Sequence, residues 1–231
     1  MAKSDSLIKL QGTLAGLTFV KSLAYGEHVR AKRGTYKKAE VNASFKRESK
    51  RLQRTNVPAK IFKDAITPHL SHLANGELWS RLLSVIHKQL KTNGTFDFSY
   101  FAPFEINADY TFERFLQEEP KIRFEKRKRT LHIGINYKKH PVFKRAAYVD
   151  GYRLTAIAIF PNLKKKSAET VVAESEVIRL KGAVPSLSLQ LKVPLTAIRW
   201  VVCIRIEGYS GDEVCNTPVT KGMRIAEAGV I

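Results

Sequence analysis

After Pro120 the chain breaks into seven short runs that are strand-like in composition and separated by turn-forming residues, with no long helical pattern between them. The runs are 122–125, 131–135, 152–160, 171–180, 187–193, 200–207 and 223–228. They are rich in Val, Ile, Leu and aromatic residues, and several alternate with period two, which suits a sheet with one face buried. Pro161, Pro185 and Pro194 fall at the edges of runs, where a missing N–H is tolerated. Asp150-Gly151 reads as a tight turn, and Lys164, Lys165 and Lys166 as a hairpin tip. Strands in succession without crossover helices predict an antiparallel β-sandwich or Greek-key-like domain over residues 121–231.

The first 120 residues read differently. From 8 to 33 the chain alternates loosely between glycines, and Thr18, Phe19, Val20 and Val29 favour strands, so a β-hairpin or short meander is expected. From 38 to about 54 the period changes to that of a helix, with Val41, Phe45 and Leu52 on one stripe and basic residues over the rest. Pro58 suits the first turn of a second helix ending near Pro68. A third helix, 77–91, carries Leu78, Leu82, Leu83, Ile86 and Leu90, and Asn93-Gly94 stops it. Residues 95–120 form an aromatic bridge in which packing is the expected role of the eight rings; base stacking would call for interleaved basic residues. The fold class is therefore α+β: an N-terminal hairpin, a short helical segment and the bridge over 1–120, then the sandwich-like domain.

Charge is the unusual total. Forty Lys and Arg against 21 Asp and Glu give a formal net charge of +19. The excess lies in two blocks: residues 1–60 hold 14 basic and 4 acidic side chains, and residues 121–166 hold 14 and 2. Residues 61–120 are slightly acidic and the last 65 are neutral. Such asymmetry marks a footprint for a polyanion, bound through its field and through counterion release. The candidate phosphate-binding residues are Lys32, Arg33, Lys37 and Lys38; Lys46, Arg47, Lys50, Arg51 and Arg54; and Lys126, Arg127, Lys128 and Arg129. Lys138, Lys139, Lys144 and Arg145 form a further cluster. Phosphate positioning needs positive charge and no sequence-reading helix, and no zinc-finger or RNA-recognition signature is present.

Enzyme chemistry is not indicated. The six histidines show no HExxH spacing, and His69, His72 and His87 are the nearest approach to a metal cluster, so no metal or other cofactor is expected. Glu118 and Glu119 are adjacent rather than paired across a site, and Ser210 in GYSGD does not fit the nucleophile elbow. Cys203 lies in an apolar run as a core residue, and Cys203 and Cys215 read as free thiols. The opening residues have no apolar leader core, and no run is long enough to cross a bilayer, which with the thiols predicts a cytoplasmic protein.

Lys9, Gly12, Thr13, Gly16, Thr18, Phe19, Lys21 and Ser22, followed by Gly26, Arg30, Lys32 and Gly34, follow the order K-x-x-G-T-x-G-x-x-T-F-x-K-S and R-x-K-x-G. This resembles a recurrent N-terminal pattern in short Bacteroidetes proteins to which no activity is assigned. The resemblance covers about the first fifth of the chain and implies a bacterial cytoplasmic or mobile-element setting, with no active site to carry over.

The sequence thus predicts a non-enzymatic protein that contacts nucleic acid or a ribonucleoprotein. The alternative is a structural or assembly subunit that meets other proteins, or copies of itself, through the β domain. No membrane partner is expected.

Overall fold

The fold is described from a computed structural model, which describes residues 2–3, 12–22, 26–32, 42–116, 120–125 and 127–231. The chain divides into two units, residues 1–47 and 48–231.

The first unit contains a four-stranded antiparallel sheet, β1 (Ala2–Lys3), β2 (Gly12–Leu14), β3 (Leu17–Ser22) and β4 (Gly26–Ala31), in the order β1-β4-β3-β2. This is the expected N-terminal hairpin region. Ala15 and Gly16 close the β2–β3 turn at φ 46° and 81°, positive values that match the twist of a two-residue hairpin. The Thr13 and Thr18 hydroxyls meet across the pair at 3.1 Å.

Helix α1 (Ala43–Ile66) starts where the Asn42 carboxamide oxygen accepts the Phe45 N–H at 2.7 Å, an N-cap. The expected break at Pro58 does not occur: one helix runs through the proline. The ring removes one ladder bond, a cost of about 3 kcal/mol. Burial of Pro58 together with Ala59, Ile61, Phe62 and Ile66 offsets it. Of the stripe expected over Val41, Phe45 and Leu52, Val41 lies outside the described residues and the other two are not buried; residues 43–54 of the helix include no buried side chain.

Helix α2 (Leu78–Asn93) matches the sequence reading closely. Asn75 Oδ1 accepts the Leu78 N–H at 3.0 Å, and Gly94, at φ 71°, donates its N–H to the Leu90 carbonyl. The aromatic bridge follows as packing. Phe98 and Phe101 are buried in a short 3-10 turn, with Phe62–Phe101 and Phe96–Phe101 centroids 5.2 and 5.3 Å apart.

The remaining strands are β5 (Phe104–Glu105), β6 (Lys121–Glu125), β7 (Thr130–Ile135), β8 (Gly151–Asn162), β9 (Ser167–Glu174), β10 (Ile178–Arg179), β11 (Leu187–Lys192), β12 (Arg199–Ser210), β13 (Glu213–Val214) and β14 (Lys221–Val230). A seven-stranded sheet runs β10-β8-β12-β14-β5, with β9 also on β8 and β13 on β12. A three-stranded sheet, β11-β7-β6, faces it, and all pairings are antiparallel.

The central strands of the larger sheet, β8 and β12, are buried on both faces. Leu154, Ala156, Ala158, Phe160, Val202, Ile204 and Ile206 pack against Leu131, Ile133, Ile135, Leu189 and Leu191 of the small sheet. The alternate residues Ile157, Ile159, Val201, Cys203, Met223 and Ile225 pack against Phe62, Ile66, Leu82, Ile86, Phe98 and Phe101. Double burial explains why the β8 and β12 runs are almost continuously apolar, whereas β7 and β11, with one wet face, alternate. It also separates the thiols. Cys203 belongs to the helix-side core and Cys215 to the sandwich core, and both are free and buried.

Candidate nucleic-acid interface

Strand direction gathers three loops at one end of the β layers. The β6–β7 turn carries Arg127, Lys128 and Arg129; the β8–β9 turn carries Leu163, Lys164, Lys165 and Lys166; the β11–β12 connection is Val193-Pro194-Leu195-Thr196-Ala197-Ile198. Hydrogen bonds tie them together. Val193 N–H donates to the Arg129 carbonyl at 2.8 Å. The Arg129 guanidinium donates to the Pro194 carbonyl at 2.6 Å, with the Leu195 and Ala197 carbonyls each at 3.4 Å. Thr196 Oγ1 donates to Glu169 Oε1 at 3.0 Å, joining the same connection to the start of β9. Lys165 and Thr196 line one small cleft with Asn162 and Glu169.

Two basic runs some 35 residues apart in sequence therefore share one end of the fold. Arg127, Lys128, Lys164, Lys165, Lys166 and Lys192 are all exposed there. Both turns close on a basic residue with positive φ, Arg129 at 47° and Lys166 at 52°, a conformation that suits glycine better. In the β8–β9 turn the Asn162 side chain accepts the Lys165 N–H at 3.0 Å and sets the bend.

The outer face of the small sheet continues this surface. Cross-strand rows run Arg123–His132–Gln190, Glu125–Thr130–Lys192 and Lys121–Gly134–Ser188 over β6, β7 and β11. Arg123, Glu125 and His132 line a shallow open depression. Glu125 is engaged from two sides, by His132 Nε2 at 3.0 Å and Lys128 Nζ at 3.5 Å. Its partial desolvation opposes ionisation, but the His132 hydrogen bond and the Lys128 charge outweigh it and hold its pKa below the usual carboxylate value.

Of the other candidates, Lys46, Arg47, Lys50 and Arg54 are exposed on α1, and Arg51 pairs with Glu48 at 2.7 Å. Lys32 follows β4, its N–H donating to the Gly16 carbonyl. Arg33, Lys37, Lys38 and Lys126 lie outside the described residues. Lys138, Lys139, Lys144 and Arg145 fall in the β7–β8 connection, at the opposite end of the strands from the three loops. Lys121, Arg123 and Lys192 were not singled out from sequence, because isolated basic residues in alternating strands carry no cluster signal.

A second polar constellation occupies the helix-facing side of the large sheet. Lys221, 1% exposed, bonds Glu207 Oε1 at 3.1 Å, Ser71 Oγ at 2.9 Å and Asn216 Oδ1 at 3.3 Å. Glu207 also meets Arg205 at 2.9 Å, and Arg205 donates to the His69 carbonyl at 3.0 Å. The Lys221 ammonium has three acceptors for three protons and is satisfied, which gives it a structural role, while the Arg205 Nε is buried without a hydrogen-bond partner. Among the described residues, no group of three or more His, Cys, Asp or Glu is placed to hold a metal ion, and no helix is long and apolar enough to cross a membrane.

Compared with protein-family profiles, curated proteins and solved structures, the chain matches none of them.

Proposed function

We propose that this is a non-enzymatic protein that binds a polyanion, nucleic acid or a ribonucleoprotein, through contacts made mainly to phosphate. The observation that carries the reading is the convergence of the β6–β7, β8–β9 and β11–β12 loops, which concentrates six exposed Lys and Arg side chains at one end of the β layers. Two acidic groups lie at this end: Glu125, which pairs with His132 and with Lys128 of the basic set, and Glu169, which accepts from the Thr196 hydroxyl. Exposed lysines and arginines of this kind supply phosphate contacts whose strength comes from counterion release. The exposed basic residues of α1, Lys46, Arg47, Lys50 and Arg54, supply further contacts of the same kind.

The test is a titration of protein freed of nucleic acid by nuclease and high salt, against duplex and single-stranded DNA and RNA at about 50 and about 200 mM salt. Six to ten phosphate contacts predict an affinity loss on the order of 10³-fold or more across that range. Charge reversal at Lys46, Arg47, Lys50 and Arg51 is expected to weaken binding and flatten the salt dependence; no change in either would remove α1 from the interface. No binding at the lower salt would overturn the reading and turn attention to acidic protein partners.

A further inference from the structure

We infer that the polyanion taken at the three-loop end is a nucleic-acid duplex, and that Leu195 is a wedge that enters between its stacked base pairs. This rests on the reading just proposed and specifies its ligand.

Leu195 is 86% exposed, and Ile198 beside it is 65% exposed. An aliphatic side chain so far from any core gains nothing by its position in the free protein. Its backbone is nevertheless held from three sides. Ala197 N–H closes the turn on the Pro194 carbonyl at 3.1 Å, the Arg129 guanidinium grips the Pro194 carbonyl, and Thr196 is pinned to Glu169. The tip is thus presented at a fixed place with little freedom left to lose on binding, which is what insertion of one side chain requires.

Charge selects the class of occupant. The tip shares its end of the β layers with the exposed Arg127, Lys128, Lys192 and the three lysines at 164–166, a setting that suits a ligand with negative charge around an apolar interior. A duplex has that arrangement, with phosphates outside and stacked bases within. Proteins that bend duplexes insert Leu, Ile, Met, Phe or Pro between base steps while basic groups hold the flanking backbone. Single strands are held on exposed aromatic rings, and none of the three loops carries one. An anionic bilayer also joins negative charge to an apolar interior, but its affinity scales with total apolar area inserted, and the exposed aliphatic side chains of these loops, Leu163, Leu195 and Ile198, present far less than the apolar face of an interfacial helix.

The experiment uses the full chain, a short DNA duplex carrying a fluorescent purine analogue at its centre and a donor–acceptor dye pair at its ends, and vesicles of phosphatidylserine and phosphatidylcholine. Wild-type protein is expected to bind the duplex, raise the analogue's fluorescence by unstacking it, and shorten the end-to-end distance. Leu195→Ser, a change at an exposed position, is expected to lose both signals at protein concentrations that saturate the duplex. Lys164→Gln/Lys165→Gln/Lys166→Gln is expected to lower the salt slope by about three, one per phosphate contact removed. Duplex binding with unaltered signals in Leu195→Ser, or with no unstacking by wild type, overturns the wedge and leaves the phosphate reading standing. Failure to bind any nucleic acid overturns both. Leu195-dependent capture by the anionic vesicles without duplex binding overturns the duplex in favour of a lipid surface.

Discussion

Gly229 pairs across the sheet with Trp200, and a Cβ built on it would stand 2.6 Å from the indole ring. Trp200 is buried in the sandwich core. Gly229→Ala is expected to destabilise by about 1–3 kcal/mol, as overpacking does; a urea midpoint equal to wild type would show that the ring can move. Lys221 is the harder constraint. Lys221→Met leaves Glu207 buried with only Arg205 as partner, a loss expected near 3 kcal/mol. Adding Glu207→Gln should recover part of it, and a double variant as unstable as the sum of the singles would show that the two do not act as a pair. Glu105 is sensed through pH. Burial raises its pKa above the usual 4.5, against the Phe112 N–H at 2.7 Å and the charge of Arg224. For a carboxyl with a raised folded pKa, the stabilising contribution is complete below the unfolded pKa and is lost as pH rises through the folded one. Glu105→Gln should therefore flatten the fall of the thermal midpoint above pH 4.5 and be no less stable than wild type at neutral pH. Parallel curves would place the carboxyl outside that linkage.

At the scale of elements, the β8–β9 turn sets stability against charge. Lys166 adopts positive φ, which costs an L-residue about 1 kcal/mol relative to glycine. Lys166→Gly is expected to raise stability by roughly that amount and to weaken polyanion binding by the loss of one phosphate contact. A variant both more stable and equally tight would show that the side chain plays no part in binding. Many of the elements were legible in the sequence. Helix α2 has a clear apolar face and a stop at Asn93-Gly94, so local chemistry and packing agree. The strands β6, β7, β8, β11, β12 and β14 were legible by composition and turn residues, whereas the single run expected over 171–180 is two strands, β9 and β10, and the two-residue β13 carries no signal of its own. Helix α1 did not, because Pro58 is a local signal for a start, and only the burial of its neighbours makes continuation favourable. Phe45 and Leu52 misled in the other direction. A stripe in the sequence says where apolar residues align and says nothing about whether another surface covers them.

At the scale of the whole molecule, the sequence by itself determined the α+β class, the change from hairpin to helices to antiparallel strands, and the confinement of charge to two blocks. These follow from periodicity, turn chemistry and composition, which act over a few residues and are written in the chain. What only the tertiary structure decided is which separated segments meet. Helices cover one face of the large sheet and the β11-β7-β6 sheet the other, so β8 and β12 are buried on both sides. The β6–β7 and β8–β9 turns come to one end with the Leu195 loop between them, while the equally basic residues 138–145 are carried to the other. Strand direction and sheet order set this, and they depend on long-range burial of apolar faces. No local pattern in the chain encodes them, which is why the lysines and arginines could be counted from the sequence but not assembled.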